Sequence, residues 1–133
     1  MKLLNSILLV DDDIATNTLN SFVIKKAQIS KQIKVVLNGF EALNYLDQIE
    51  AEDELPEFIF LDINMPKMDG WEFLEEYRAR KKYHSKIFLL TTSENPDDMI
   101  KSKLYPEILE YCHKPLTTEI LLQLWEKYNE NEV

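Results

Sequence analysis

Glu57-Phe58-Ile59-Phe60-Leu61-Asp62 decides the architecture of this chain. Its four apolar residues show no polar alternation, so the run reads as a strand buried on both faces, the condition of a strand inside a parallel sheet. The run then stops at a carboxylate. Working outward, the same pattern recurs. Ile7-Leu-Leu-Val10 is followed by Asp11 and Asp12, Ile87-Phe-Leu-Leu90 by Thr91, and Ile108-Leu-Glu-Tyr-Cys112 by His113 and Lys114, while Ile33-Lys-Val-Val-Leu37 is a further strand. Between the strands the period changes to that of a helix. Ala15, Leu19, Phe22 and Val23 recur at helical spacing, Leu43, Leu46 and Ile49 mark a second helix, and Trp71 to Lys82 reads as a third with Phe73, Leu74 and Tyr77 turned inward. Asn95-Pro96 opens a short fourth helix, which Pro106 ends by Tyr105. Thr118 is the expected N-cap of a fifth, lined by Leu121, Leu124 and Tyr128. Glu50 to Glu57, with Pro56, reads as a loop, and Asn38-Gly39 as punctuation.

Five strands alternating with five helices predict an α/β fold, with one parallel sheet and helices on both faces. Right-handed crossovers narrow the topology. The expected form is the flavodoxin-like doubly wound (βα)5 arrangement of strand order 2-1-3-4-5, whose ligands bind outside the carboxyl ends of strands one and three.

Composition sets the frame. The chain of 133 residues fits one domain, and 45% hydrophobic with 29% charged residues is a globular balance. A net charge of −9 argues against nucleic acid or an anionic membrane as the main partner. The single cysteine, Cys112, excludes an intrachain disulfide and reads as a small core residue. The N-terminal apolar stretch meets Asp11 too soon for a signal peptide, and no run reaches membrane-spanning length, so the cytoplasm is the expected location. The sequence ends soon after the fifth helix, so one domain over residues 1–133 without an output domain is expected.

The polar residues fall where such a fold places a site. Asp11 and Asp12 follow strand one, Asp62 strand three, Thr91 strand four and Lys114 strand five. Each alone has a plain explanation: aspartates start turns, Thr91 and Thr92 can end a strand, and Lys114 can sit in solvent. Together they make a coherent chemistry. Clustered carboxylates repel one another and need a cation, and an all-oxygen set suits Mg2+ or Mn2+. A carboxylate can also attack phosphorus to give an aspartyl phosphate, provided a divalent ion and a lysine neutralise the approaching anions. Lys114 reaches Asp62 only if strands three and five bring their ends together over the end of strand four.

Four segments carry a resemblance. Val10-Asp11-Asp12-Asp13, Leu61-Asp62-Ile63-Asn64-Met65-Pro66-Lys67-Met68-Asp69-Gly70, Leu89-Leu90-Thr91-Thr92-Ser93 and Tyr111-Cys112-His113-Lys114-Pro115 look like the signatures of response-regulator receiver domains of two-component phosphorelays. The likeness covers nearly the whole chain and is to the stand-alone, single-domain type that resembles chemotaxis-type regulators. It implies Asp62 as phosphoacceptor. Asp12 and Asp62 would bind magnesium through their side chains, Asn64 through its backbone carbonyl and Asp11 partly through water. Thr91 and Lys114 would contact phosphoryl oxygens, Tyr111 would be the switch aromatic, and Asn64, Thr92 and Ser93 would tune the lifetime of the phosphorylated state. The Lys114–Pro115 bond would be cis. A histidine kinase or histidine phosphotransfer protein would be the donor. The output would be a downstream protein, met by the surface near helix four, strand five and helix five, from a monomer or weak phosphorylation-dependent dimer. Such a domain is not a turnover enzyme; it catalyses its own phosphorylation and a slow self-dephosphorylation.

There are departures from the family pattern. Leu104-Tyr-Pro-Glu107 stands where a small Gly- or Ala-containing turn is usual, which bears on the geometry of helix four. Thr92 is bulkier than the usual Ala or Gly and narrows access to Asp62. Asp13 is expected to begin the first helix rather than bind metal. His84 and His113 lack ligand-like spacing and read as loop and strand residues.

Three other readings share some of these features. A haloacid-dehalogenase-like phosphatase also uses a strand-end aspartate, magnesium and lysine, but Ala15 stands where its signature needs Thr or Val. A flavodoxin-like flavin binder needs a phosphate-cradling loop where Asp11, Asp12 and Asp13 would repel phosphate. A pseudo-receiver that only binds a partner has no need of the Asp62, Thr91 and Lys114 set.

Overall fold

The computed structural model describes residues 2–129. Its strands are β1 (Leu4–Val10), β2 (Ser30–Val36), β3 (Phe58–Leu61), β4 (Lys86–Thr91) and β5 (Ile108–His113). Its helices are α1 (Ile14–Ala27), α2 (Gly39–Gln48), α3 (Gly70–Arg80), α4 (Pro96–Ser102) and α5 (Thr118–Tyr128). The strands are all parallel, in the order β2-β1-β3-β4-β5. The predicted fold class and strand order are therefore those observed.

Strand periodicity sorts the core into two layers. Leu8, Val10, Ile59, Leu61, Ile87 and Leu89 meet Ala42, Leu43 and Leu46 of α2 and Phe73, Leu74 and Tyr77 of α3 on one face. Ile7, Leu9, Phe58, Phe60, Phe88 and Leu90 meet Ile24 of α1 and Leu121 and Leu124 of α5 on the other. Phe58 and Phe88 pack edge to face with centroids 4.9 Å apart. Each such ring, fully buried, contributes roughly 1.5–3 kcal/mol.

Several boundaries differ from expectation. β1 starts at Leu4, ahead of Ile7, because Leu4 is buried and its N–H donates to the Ile29 carbonyl at 2.8 Å. The acidic loop holds a short 3-10 turn, Glu52–Glu54. Thr117, not Thr118, caps α5: its backbone is extended and its Oγ1 accepts from Ile120 N at 3.1 Å, whereas Thr118 is already helical.

α1 is the larger departure. Of the spaced apolar residues Val23 alone packs against the core. Leu19 and Phe22 are 63% and 64% exposed, while Asn17, Asn20 and Ile24 turn inward. The cause is local: α1 begins beside the polar strand ends, and the Asp11 carbonyl is met by Asn17 Nδ2 at 2.8 Å. Asp13 caps α1, accepting from Ala15 N and from the Thr16 hydroxyl.

The segment leading into β5 is held by α3. Tyr105 is buried and stacks on Trp71, with centroids 5.5 Å apart and planes at 27°. Its hydroxyl donates to Glu75 at 2.7 Å. Arg78 lies over the Tyr105 ring, donates twice to Glu107 at 2.9 Å and once to the Leu104 carbonyl, and Lys101 covers Trp71. The unusual Leu104-Tyr-Pro-Glu107 sequence thus makes a turn, Ile108 N donating to the Tyr105 carbonyl at 3.0 Å, that is bracketed onto α3.

Candidate functional site

Strand register puts the polar ends together. Val10 pairs with Leu61 and Leu61 with Leu89, so Asp11 and Asp62 leave the sheet side by side. Asp62 N donates to the Val10 carbonyl at 3.0 Å, and Lys114 N to the Thr91 carbonyl at 2.9 Å. The β3–α3 loop then folds back. Gly70 N donates to the Ile63 carbonyl at 2.8 Å, and a Cβ on Gly70 would stand 2.6 Å from the Asp62 carbonyl oxygen. Glycine is required here by that close approach.

Asp11, Asp12 and Asp62 each offer a carboxylate oxygen within 4.8 Å of the others. Asp11 and Asp62 are buried and Asp12 is exposed at the mouth. Lys114 Nζ lies 2.6 Å from Asp11 Oδ2 and 3.5 Å from Asp62 Oδ2, so the ends of β3 and β5 do meet over β4. Burial and the Asp11 charge push the Asp62 carboxyl up to about 6, against the opposing pull of Lys114 and the Ile63 N–H. Burial would lower the Lys114 ammonium, yet its hydrogen bond to Asp11 and its attraction to Asp62 hold it above the ordinary lysine value. Three carboxylates against one ammonium leave the pocket short of positive charge. An all-oxygen set with one open, exposed member fits a hard divalent cation such as Mg2+ that keeps several waters.

The remaining expected residues surround this pocket unevenly. Thr91 is fully buried, and its Oγ1 accepts from Ser93 N at 3.1 Å. Asn64 and Thr92 are exposed. Ser93 is half-buried and its hydroxyl donates to Asp98 at 2.5 Å. Tyr111 is half-buried, and its hydroxyl donates to the Ser93 carbonyl at 3.2 Å. The Lys114–Pro115 peptide bond is cis. His84 does not join the cluster, and the His113 ring packs against Tyr111 with centroids 5.5 Å apart.

Sequence reasoning missed Asn17 and Asn20, which line the crevice beneath Asp11 and Asp62 together with Phe60 and Leu90. The only signal was a pair of asparagines three apart on a helix leaving an acidic strand end. It also missed Asp98, whose i+5 relation to Ser93 crosses a loop and has no period to reveal it.

Comparison with known proteins follows the same lines. The family profile for the response regulator receiver domain matches residues 7–126. Response regulator Rcp1 of Synechocystis is 37% identical over 100 residues, covering 72% of this chain and 67% of that protein. The probable C4-dicarboxylate response regulator DctR of Halalkalibacterium halodurans is 27% identical, and the match spans 51% of its length. Among solved structures, a two-component response regulator from Cytophaga hutchinsonii superposes with a TM-score of 0.86 at 32% identity, over 95% of this chain and 97% of that one. The chemotaxis response regulator CheY4 of Vibrio cholerae gives 0.75 at 27% identity, over 92% and 97%.

Proposed function

This chain belongs to the response regulator receiver domain family, and we propose that it accepts a phosphoryl group on Asp62, in the presence of Mg2+, from the phosphohistidine of a histidine kinase or histidine phosphotransfer protein. The observation that carries the reading is the Asp62 carboxylate, buried at the carboxyl end of β3 between two further carboxylates and one lysine.

In the transfer, an Asp62 oxygen attacks phosphorus. The O–P bond forms as the donor's N–P bond breaks, and the imidazole leaves with the bonding pair and regains its proton from solvent. Mg2+, when bound, supplies the positive charge that one lysine cannot. Asp12, Asp62 and the Asn64 backbone carbonyl are the residues that would hold it, with Asp11 acting partly through water. Lys114, 3.5 Å from Asp62, would turn its ammonium to a phosphoryl oxygen, and the Thr91 hydroxyl would donate to another. Asn64 and Ser93 carry no general base, and Thr92 narrows the approach, so water attack on the aspartyl phosphate is slow. The chain is therefore a signal carrier that catalyses its own phosphorylation, not a turnover enzyme.

Two charge-assisted hydrogen bonds, at about 1.5–3 kcal/mol each, approach the roughly 5.5 kcal/mol that moves a two-state population from 1:99 to 99:1. Thr91 and Tyr111 are the moving parts. The surface they govern, α4, β5 and α5, would meet a downstream protein or a second copy of the chain. The exposed Ile14 of α1, which follows the acidic loop directly, with the exposed Phe22 two turns farther along, would give the donor an apolar seat that starts beside the pocket. Residues 1–133 would act as one receiver domain in the cytoplasm, and no described helix is long and apolar enough to cross a membrane.

Incubation with acetyl phosphate and Mg2+ followed by intact mass tests the reading. Wild type should gain one phosphoryl group, lost on mild base treatment, and Asp62→Asn should gain none. Equal labelling of both proteins would overturn it, as would continuous phosphate release from unrelated monoesters.

A further inference from the structure

Ser93 is tied at three points. Its N–H donates to Thr91 Oγ1 at 3.1 Å, its carbonyl accepts from the Tyr111 hydroxyl at 3.2 Å, and its own hydroxyl donates to Asp98 Oδ2 at 2.5 Å. The same Ser93 oxygen accepts from Asn95 N at 3.2 Å. Asn95 is the N-cap of α4 and Asp98 lies in its first turn. One residue therefore joins the end of β4, the aromatic of β5 and the start of α4.

From this geometry we infer that the Ser93–Asp98 hydrogen bond is a resting-state clasp, and that Asp98 is a positioning residue setting how readily the phosphoacceptor site adopts its phosphorylated form. The inference rests on the receiver reading above and adds its regulation. Thr91 is buried with its oxygen already engaged by the Ser93 N–H. To reach a phosphoryl group on Asp62, the Thr91 hydroxyl must draw Ser93 with it or let it go. Ser93 resists because Asp98 and Tyr111 hold its other two polar groups. Hydrogen bonds to ionised groups are short and about twice as strong as neutral ones, so the Asp98 link is the firmest of these anchors. Asp98 reaches neither the acidic pocket nor Lys114 by any hydrogen bond or ion pair described here. The side-chain hydrogen bond of its carboxylate goes to Ser93, and removing it lowers the cost of moving the loop.

The test is titration of the full chain with beryllofluoride at saturating Mg2+, followed by fluorine NMR, with hydrogen exchange over residues 91–104. Wild type should bind and Asp62→Asn should not; absence of binding in wild type would overturn the receiver reading and the clasp with it. Given wild-type binding, Asp98→Ala should bind about tenfold more tightly, the size of effect one charge-assisted hydrogen bond carries. Its Mg2+ affinity without beryllofluoride should be unchanged. Ser93→Ala should reproduce the gain, and the double variant should add little to either single change. Asp98→Asn keeps an acceptor for the Ser93 hydroxyl but loses the charge that makes the bond firm, and should fall about midway between wild type and Asp98→Ala. Asp98→Asn equal to Asp98→Ala would make simple charge removal the cause and overturn the clasp. So would unchanged or weaker binding in Asp98→Ala with α4 still protected from exchange. If α4 unravels in Asp98→Ala, the Asp98→Asn and Ser93→Ala pair decides: a gain in Ser93→Ala alone supports the clasp, and its absence overturns it.

Discussion

Two clusters in this molecule are built from the same kinds of residue and behave oppositely. Between α2 and α3, Asp47 receives Arg80 Nε and Nη2 at 2.9 Å each and the Tyr83 hydroxyl. Arg80 also donates to the Glu76 side chain at 3.3 Å. The Arg80 hydrogen bonds, with Tyr83 second, hold the Asp47 carboxyl at about 2. At the sheet end, Asp62 is buried beside Asp11, shares Lys114 with it and is pushed up to about 6. Aspartate beside a cation is common to both. What differs is burial, and the ratio of carboxylates to cations among the groups each aspartate meets. A satisfied, solvent-facing pair fastens two helices, whereas an undersupplied, buried one is left in want of a cation and ready to react.

The largest effect expected from breaking this contrast is chemical. Asp62→Asn should remove phosphoryl uptake entirely, by intact mass, while Asp47→Asn leaves its extent untouched; loss of uptake in the Asp47 variant would dissolve the distinction. Next comes stability against pH. The Asp62 carboxyl stands at about 6 in the folded chain, against an ordinary 3.8 in the unfolded one, so the folded state binds more protons between these values. Stability therefore falls as pH rises through that window, is unpenalised below it and fully penalised above it. In magnesium-free buffer, wild type should lose on the order of 2 kcal/mol relative to Asp62→Asn between roughly pH 4 and roughly pH 7. Parallel denaturation curves across that range would contradict the shift. Asp47 runs the other way: its stabilisation is present above 3.8 and is lost as pH falls through about 2.

A smaller effect sharpens the count of charges. Asp12→Ala should weaken Mg2+ at least about tenfold, or ~1.4 kcal/mol, by calorimetric titration. It should also raise the stability of the cation-free protein, because one of three repelling carboxylates is gone. An unchanged Mg2+ isotherm would remove Asp12 from the ligand set. The smallest effect is expected at the fastened pair. Asp47→Ala should cost only about 0.2–1 kcal/mol by urea denaturation, since both partners reach solvent.

The strand ends were legible because a parallel strand buried on both faces must be apolar throughout and can turn polar only where it leaves the sheet. Val10-Asp11 and Leu61-Asp62 mark those exits in the sequence. The buried face of α1 was not legible for the converse reason. Its inward residues Asn17 and Asn20 answer polar groups brought by other segments, so the apolar spacing of Leu19 and Phe22 points to solvent. Tyr105 was equally hidden. Pro106 announces a turn, but nothing local announces that the preceding ring will lie between Trp71 and Arg78. The register that brings Lys114 to Asp11 rather than directly onto Asp62 is likewise a product of the assembled sheet.

The bracket around Tyr105 has a mechanical consequence. α4 is a rod of seven residues, about 10 Å long, moored at its C-terminal end through Lys101 and Tyr105 to α3. A rod pinned at one end turns about the pin, so its displacement grows with distance from Tyr105 and is greatest at Asn95. A swing of about 10° carries that free end roughly 2 Å while leaving the pinned end in place. A rearrangement at the end of β4 would then tilt α4 about a fixed fulcrum rather than translate it, and the residues travelling farthest would be those at its Asn95 end.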